Sequence, residues 1–262
     1  MLADDEPAPV EIVNREGRSP YLLVCDHAGR AVPRSLGGLG LSDDALSGHI
    51  GWDIGARAVA LRMAELLDAC LIMQCYSRLV IDCNRPPEDA QSIVAVSEQT
   101  PVPGNAEVSA DDRARRVGSI YRPFHEAIDR QLDQRLAARR PTAVVSIHSF
   151  TPRYLGRDRP WHVGIVYDRD SRLADRLIAD LEEDGRWQVG RNAPYSPADG
   201  VCHTLNTHAA ARGLCHAMIE IRNDLVAEEA GQARWAVRLA AGLSAALPGL
   251  FDPPAMQDHA HA

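Results

Sequence analysis

Lysine is absent from this 262-residue chain; all 28 residues counted as Lys or Arg are Arg. Schiff-base chemistry and P-loop phosphate binding both need a lysine amine, so both are excluded. No basic block is present either, and the formal net charge is −8, which argues against nucleic acid as a partner. No apolar run reaches the roughly 18 residues of a membrane span. The N-terminal stretch MLADDEPAPVEIV is acidic without an apolar segment and is not read as a secretory signal. None of the six cysteines forms a Cys-x-x-Cys pair, so a zinc ribbon is not expected and a reducing cytoplasm is the expected setting. Gly-x-Ser-x-Gly is missing, which leaves a serine nucleophile elbow without support. His125-Glu126 opens like the zinc helix His-Glu-x-x-His, but position 129 is Asp.

What is present is an alternation of apolar runs and helical periods. Hydrophobic content of 45% and charged content of 24% are those of an ordinary globular protein. Apolar runs at 21–25, CLIMQC, SRLVIDC, TAVVSIHSF, WHVGIVYD, WQVG and LCHAMIEIR read as strands. Helical spacing marks 51–68, 110–139, 171–184 with Ser171 as N-cap, and 228–247. Residues 84–105, rich in Pro, Gly and polar side chains, read as a long functional loop. The pattern predicts one α/β domain over 20–252, with helices on both faces of a mixed, largely parallel sheet. Residues 1–19 read as a loose segment and 253–262 as a disordered tail.

Ligands of such sheets bind outside the carboxyl ends of the strands, and four apolar runs end there in chemistry. These endings are Asp26-His27, then Asp82, Asn84 and Arg85, then His148, and last Glu220, Arg222, Asn223 and Asp224. His49 and Asp53 of GHIGWDIG precede a helix. Two imidazoles and one carboxylate make a catalytic zinc set with an open position for water. Glu220 suits the general base such a site needs. Each residue also has a plainer reading: His27 solvated at a strand end, Asp53 a helix cap, Glu220 paired with Arg222, and His216 a core histidine.

The ordered motifs VCDHAGRAVP, HIGWDIGAR, YSRLVIDCNRP, SIHSFTP, NAPYSPADG…HTLNTHA and IEIRNDL resemble the N-formylglutamate amidohydrolase family over about residues 20–245. The resemblance implies a three-layer α/β/α sandwich like that of zinc carboxypeptidases and aspartoacylases. It also implies a zinc-dependent hydrolase that releases formate from N-formyl-L-glutamate at the end of a histidine breakdown route. By the same resemblance His27 and His148 are zinc ligands and Asp53 is the third, with His49 and Asp26 as alternatives. Asp26 otherwise orients a ligand, and Gly29 makes a turn that leaves room for substrate. Zinc carboxypeptidases place a Glu three residues after the first His, where this chain has Arg30. Glu220 matches the catalytic Glu, and Asn84-Arg85 the pair that grips a substrate carboxylate. Arg78 and Arg222 are expected to hold a second carboxylate or the oxyanion.

The expected partner is a small molecule carrying a carboxylate, and a homo-oligomer is compatible with the sequence. Two other readings stay open. One is a zinc carboxypeptidase or peptidoglycan-type amidase acting on a larger substrate. The other is a metal-free binder of acidic small molecules through Arg78 and Arg85. A loop over 84–105 that closes the cleft favours small substrates.

Overall fold

Period-two alternation along the central strands divides the apolar residues between two cores. The computed structural model describes residues 1–252. Its strands are β1 (Val10–Val13), β2 (Tyr21–Cys25), β3 (Cys70–Gln74), β4 (Val96–Ser97), β5 (Thr100–Pro101), β6 (Ala143–Phe150), β7 (Arg153–Tyr154), β8 (Arg157–Asp158), β9 (Val163–Val166), β10 (Val189–Arg191) and β11 (Cys215–Arg222). The helices are α1 (Asp43–Ser47), α2 (Ala56–Leu67), α3 (Ala110–Arg116), α4 (Arg122–Ala137), α5 (Arg172–Glu183), α6 (His203–His208) and α7 (Glu229–Ala246). Leu23, Val145 and Ile219 face a core with Met63 of α2, Leu177 of α5 and Trp235 of α7. Leu22, Val24, Val144 and Met218 face the other, with Phe124 and Ile128 of α4 and Leu205 of α6. Strands sandwiched this way are buried on both faces, hence their continuous apolar runs. The expected α/β/α layering is what forms.

Seven strands make the sheet in the order β1-β3-β2-β6-β11-β9-β10, while β4–β5 and β7–β8 are separate hairpins. β3, β2, β6 and β11 run parallel to one another; β1 and β9 pair antiparallel with β3 and β11 respectively. The chain leaves β2 for β3 on one side and returns to β6 on the other, so a topological switch point lies between β2 and β6. Val24 lies opposite Ser146, and Glu220 opposite His148. The ends of β2, β6 and β11 therefore stand side by side.

Several sequence readings are revised. Val10–Val13, within the segment read as loose, forms the sheet-edge strand β1. SRLVIDC is no strand: residues 77–83 coil through the second core. Side chains take the place of a ladder there, with Asn105 donating to the Leu79 carbonyl at 2.8 Å and buried Arg116 to that of Val80 at 3.0 Å. An apolar run says that a segment is buried, not how its backbone is satisfied. The 110–139 helix holds a π-turn at Val117–Tyr121. Ser171 precedes α5 but donates its hydroxyl to Asp175 rather than capping a backbone N–H. The 253–262 tail lies outside the described residues.

Gly29 has a different task from the expected one. It is not a cavity-lining residue; it packs on the Cys75 backbone, where a Cβ would collide with the carbonyl. The contact permits the neighbouring Ala31–Tyr76 bridge, which joins the segment after β2 to the end of β3. Gly29→Ala should therefore cost about 1–3 kcal/mol of stability, read as a lower midpoint in urea unfolding.

Candidate active site

The polar residues at the ends of β2, β6 and β11 open into a cavity of about 390 Å³. His27, Asp53 and His148 meet at its floor, each offering a ligand atom within 4.8 Å of the others. All three are at least 97% buried. His27 follows β2, His148 lies near the end of β6, and Asp53 sits in the turn before α2. The Asp53 N–H donates to the His27 carbonyl at 3.1 Å, which fixes that turn against the strand end.

Each imidazole is braced by a carboxylate from another part of the chain. His27 Nε2 donates to Asp82 Oδ1 at 2.7 Å. His148 Nε2 donates to Asp26 Oδ2 at 3.1 Å. Asp26 also accepts from Ser146 at 2.8 Å and from Thr204 of α6. This pattern orients metal-binding histidines by fixing the tautomer. It leaves both Nδ1 atoms turned toward Asp53, His148 at 2.8 Å and His27 at 3.4 Å. His27 Nδ1 is buried without a hydrogen-bond partner. A buried lone pair facing a carboxylate and a second imidazole is the donor set of a divalent cation site, so these residues fit the expected metal. Asp26 thus braces His148 across the sheet, not its neighbour His27. The brace for His27 is Asp82, a residue that the strand-end pattern flagged without a role.

Charge in the site follows from the same pairings. Burial alone would raise the Asp82 carboxyl, but His27 and Arg78 hold it well below the usual range. Burial opposes a charged His148, yet its hydrogen bonds to Asp26 and Asp53 raise its pKa well above normal. Glu220 behaves oppositely. Burial pushes its carboxyl up to about 7 despite the attraction of His148, and Oε2 has no partner in the protein. A carboxyl of that kind beside a metal-type donor set can take and return a proton near neutrality.

The arginines divide into three kinds. Arg78 donates to Asp82 at 3.0 Å and to Asp53 at 3.4 Å, so its charge is already matched. Arg85 lines the cavity and is held through one nitrogen by the Asp199 carbonyl at 2.8 Å; no carboxylate among the described residues pairs with it. Arg222 is not a lining residue; it pairs with Asp224 and reaches the carbonyls of Pro160 and Trp161. Asn84 has both ends of its amide engaged, donating to the Val201 carbonyl at 2.6 Å and accepting from the Thr204 N–H at 3.0 Å. It ties down the 199–204 segment that in turn carries the partner of Arg85. His49 lines the rim and contacts Glu98 at 2.8 Å. His125 sits behind the site, hydrogen-bonded to the Cys83 carbonyl and to His208, and His216 is a core histidine.

The model of the N-formylglutamate amidohydrolase family matches residues 19–227. No curated protein matches the chain. Among solved structures, the gene product Atu2144 from Agrobacterium tumefaciens is 44% identical over 95% of this chain and 98% of that one, with a TM-score of 0.93. N-formylglutamate amidohydrolase from Ralstonia eutropha JMP134 is 22% identical over 92% of this chain and 97% of that one, with a TM-score of 0.66, a likeness of fold. On the family match over most of its length, this chain belongs to the N-formylglutamate amidohydrolase family, enzymes that hydrolyse an amide.

Proposed function

We propose that the protein is a zinc-dependent amidohydrolase that removes the formyl or another small acyl group from an N-acylated amino acid. The observation that carries this reading is the unpartnered Glu220 carboxylate, set in register beside His148 of the His27–Asp53–His148 cluster. Bound zinc would polarise the scissile carbonyl and acidify a water. Glu220 accepts the proton of the attacking water and returns it to the departing amine. Arg85 binds the substrate carboxylate and fixes the amide over the floor. Asp26 and Asp82 hold the imidazoles in one tautomer through the cycle.

A small substrate suits the geometry better than a peptide. The 84–105 loop forms one wall through Gln91, Val94, Val96, Ser97 and Glu98, and β7 forms another through Tyr154. A cavity of this size takes a ligand of metabolite dimensions. No helix among the described residues is long and apolar enough to cross a membrane. The six cysteines are all free, which suits a reducing compartment such as the cytoplasm.

Formate release from N-formyl amino acids, N-formyl-L-glutamate first, tests the activity, with metal analysis of the same sample. Protein that carries no zinc, and gains no turnover when zinc is added, would overturn the reading. Glu220→Gln should retain zinc and lose at least about 100-fold in kcat. Asp82→Asn should weaken zinc about 10–100-fold, measured by competition with a chromophoric chelator. The pH profile has a fixed sign. A protonated Glu220 cannot act as base, so kcat/KM should fall as pH drops through its pKa, about 7 in the metal-free protein. A nearby cation favours the carboxylate, so the acid limb belongs at or below pH 7. A limb well above that pH would remove Glu220 from the role.

A further inference from the structure

Resting on the proposed hydrolysis of an N-acylated amino acid, we infer that Arg159, acting with Tyr195, is a specificity-determining residue of the site. It receives a carboxylate on the substrate's side chain, while Arg85 receives the carboxylate beside the amide. Arg159 follows β8, and its backbone N–H donates to the Pro152 carbonyl at 2.8 Å across the base of the β7–β8 hairpin. Its Cζ lies 4.5 Å from the ring centre of Tyr154, 4.7 Å from that of Tyr195 and 6.0 Å from that of Phe150. All three rings line the cavity. Rings that take the face of a guanidinium stabilise its charge and leave its edge N–H groups free to donate. Among the described residues one side-chain hydrogen bond uses that edge, from Nη1 to the Tyr195 hydroxyl at 3.1 Å. Tyr195 accepts there, so its own O–H remains to donate. Burial pushes the phenol up to about 12, which keeps it protonated at neutral pH. Charge completes the case. Arg78 answers Asp53 and Asp82, whereas Arg85 and Arg159 pair with no carboxylate among the described residues. Both are held by neutral oxygens of the 192–200 segment, Arg85 by the Asp199 carbonyl and Arg159 by Tyr195. A neutral acceptor positions a guanidinium without cancelling its charge. Two positioned and unmatched cations suit two carboxylates on one small molecule.

N-formyl-L-glutamate and N-formyl-L-glutamine are nearly equal in size and differ in that one charge, so their contrast tests the assignment. Wild-type kcat/KM should favour the glutamate compound at least about tenfold. Arg159→Met, which keeps an apolar stem against the rings, should remove most of that preference through KM, and Arg159→Lys should restore part of it. Tyr195→Phe removes only the hydroxyl and should lower the preference in the same direction; it carries the test should Arg159→Met not fold. Arg85→Met should weaken both compounds alike. A wild-type ratio near unity would overturn the inference. So would Arg159 and Tyr195 variants that slow both compounds equally, the mark of a packing role, or a preference erased by Arg85→Met instead. Calorimetric titration of both compounds into Glu220→Gln protein in saturating zinc separates the two proposals. If the glutamate compound binds more tightly, and adding Arg159→Met abolishes the difference, but the wild type releases no formate, the hydrolase reading falls and the Arg159 assignment stands. If formate is released without discrimination, the Arg159 assignment falls and the hydrolase reading stands. Binding of neither compound overturns the assignment.

Discussion

The site depends on two hydrogen bonds from imidazole to carboxylate, His27 to Asp82 and His148 to Asp26. With a metal bound, each would fix which ring nitrogen keeps its proton and so which one presents a lone pair; in the metal-free protein His148 donates from Nδ1 to Asp53 as well. Without them the rings could flip or change tautomer, and Nδ1 would not be committed toward Asp53. The braces are themselves anchored. Asp82 accepts from Arg78 and from the Asn84 N–H, and Asp26 from Ser146 and Thr204. Through these contacts the segment 77–85, helix α6 and strand β6 all hold the same floor.

Burial then assigns different roles to chemically similar groups. Asp26, Asp53, Asp82 and Glu220 are all nearly inaccessible to solvent. The three aspartates sit against imidazole or guanidinium, and those partners overcome the cost of desolvation, so they remain ionised. Glu220 has no such partner, and desolvation dominates. A carboxylate that must exchange a proton is thus separated from carboxylates that must not, by partners rather than by residue type.

The scaffold explains why these groups converge. Parallel pairing places Val24 beside Ser146 and His148 beside Glu220. Residues of matching parity near the ends of β2, β6 and β11 therefore face one side. Toward the middle of the strands that face is apolar, with Val24, Val144 and Met218; at the carboxyl ends it turns polar. The apolar rows anchor the sheet on α4 and α6, and the same periodicity delivers the polar row to the cavity.

The sequence alone determined the alternation of strands and helices, the two-sided burial of the sheet and the strand ends on which chemistry falls. Those are local signals: apolar periodicity, helix-forming spacing and polar residues that interrupt apolar runs. His27, His148 and Glu220 were legible because each interrupts such a run. The tertiary structure decided how they are used. That Asp26 serves His148 rather than its neighbour His27, that Asp82 rather than Asn84 braces the metal-type cluster, and that Arg78 pairs with carboxylates while Arg85, among the described residues, meets only the Asp199 carbonyl are facts of pairing between distant segments. So is the coil over 77–83, whose carbonyls are satisfied by Asn105 and Arg116. A side chain's charge and lone pairs are set by what lies within hydrogen-bond reach. That distance is fixed by packing and register, which no local pattern encodes.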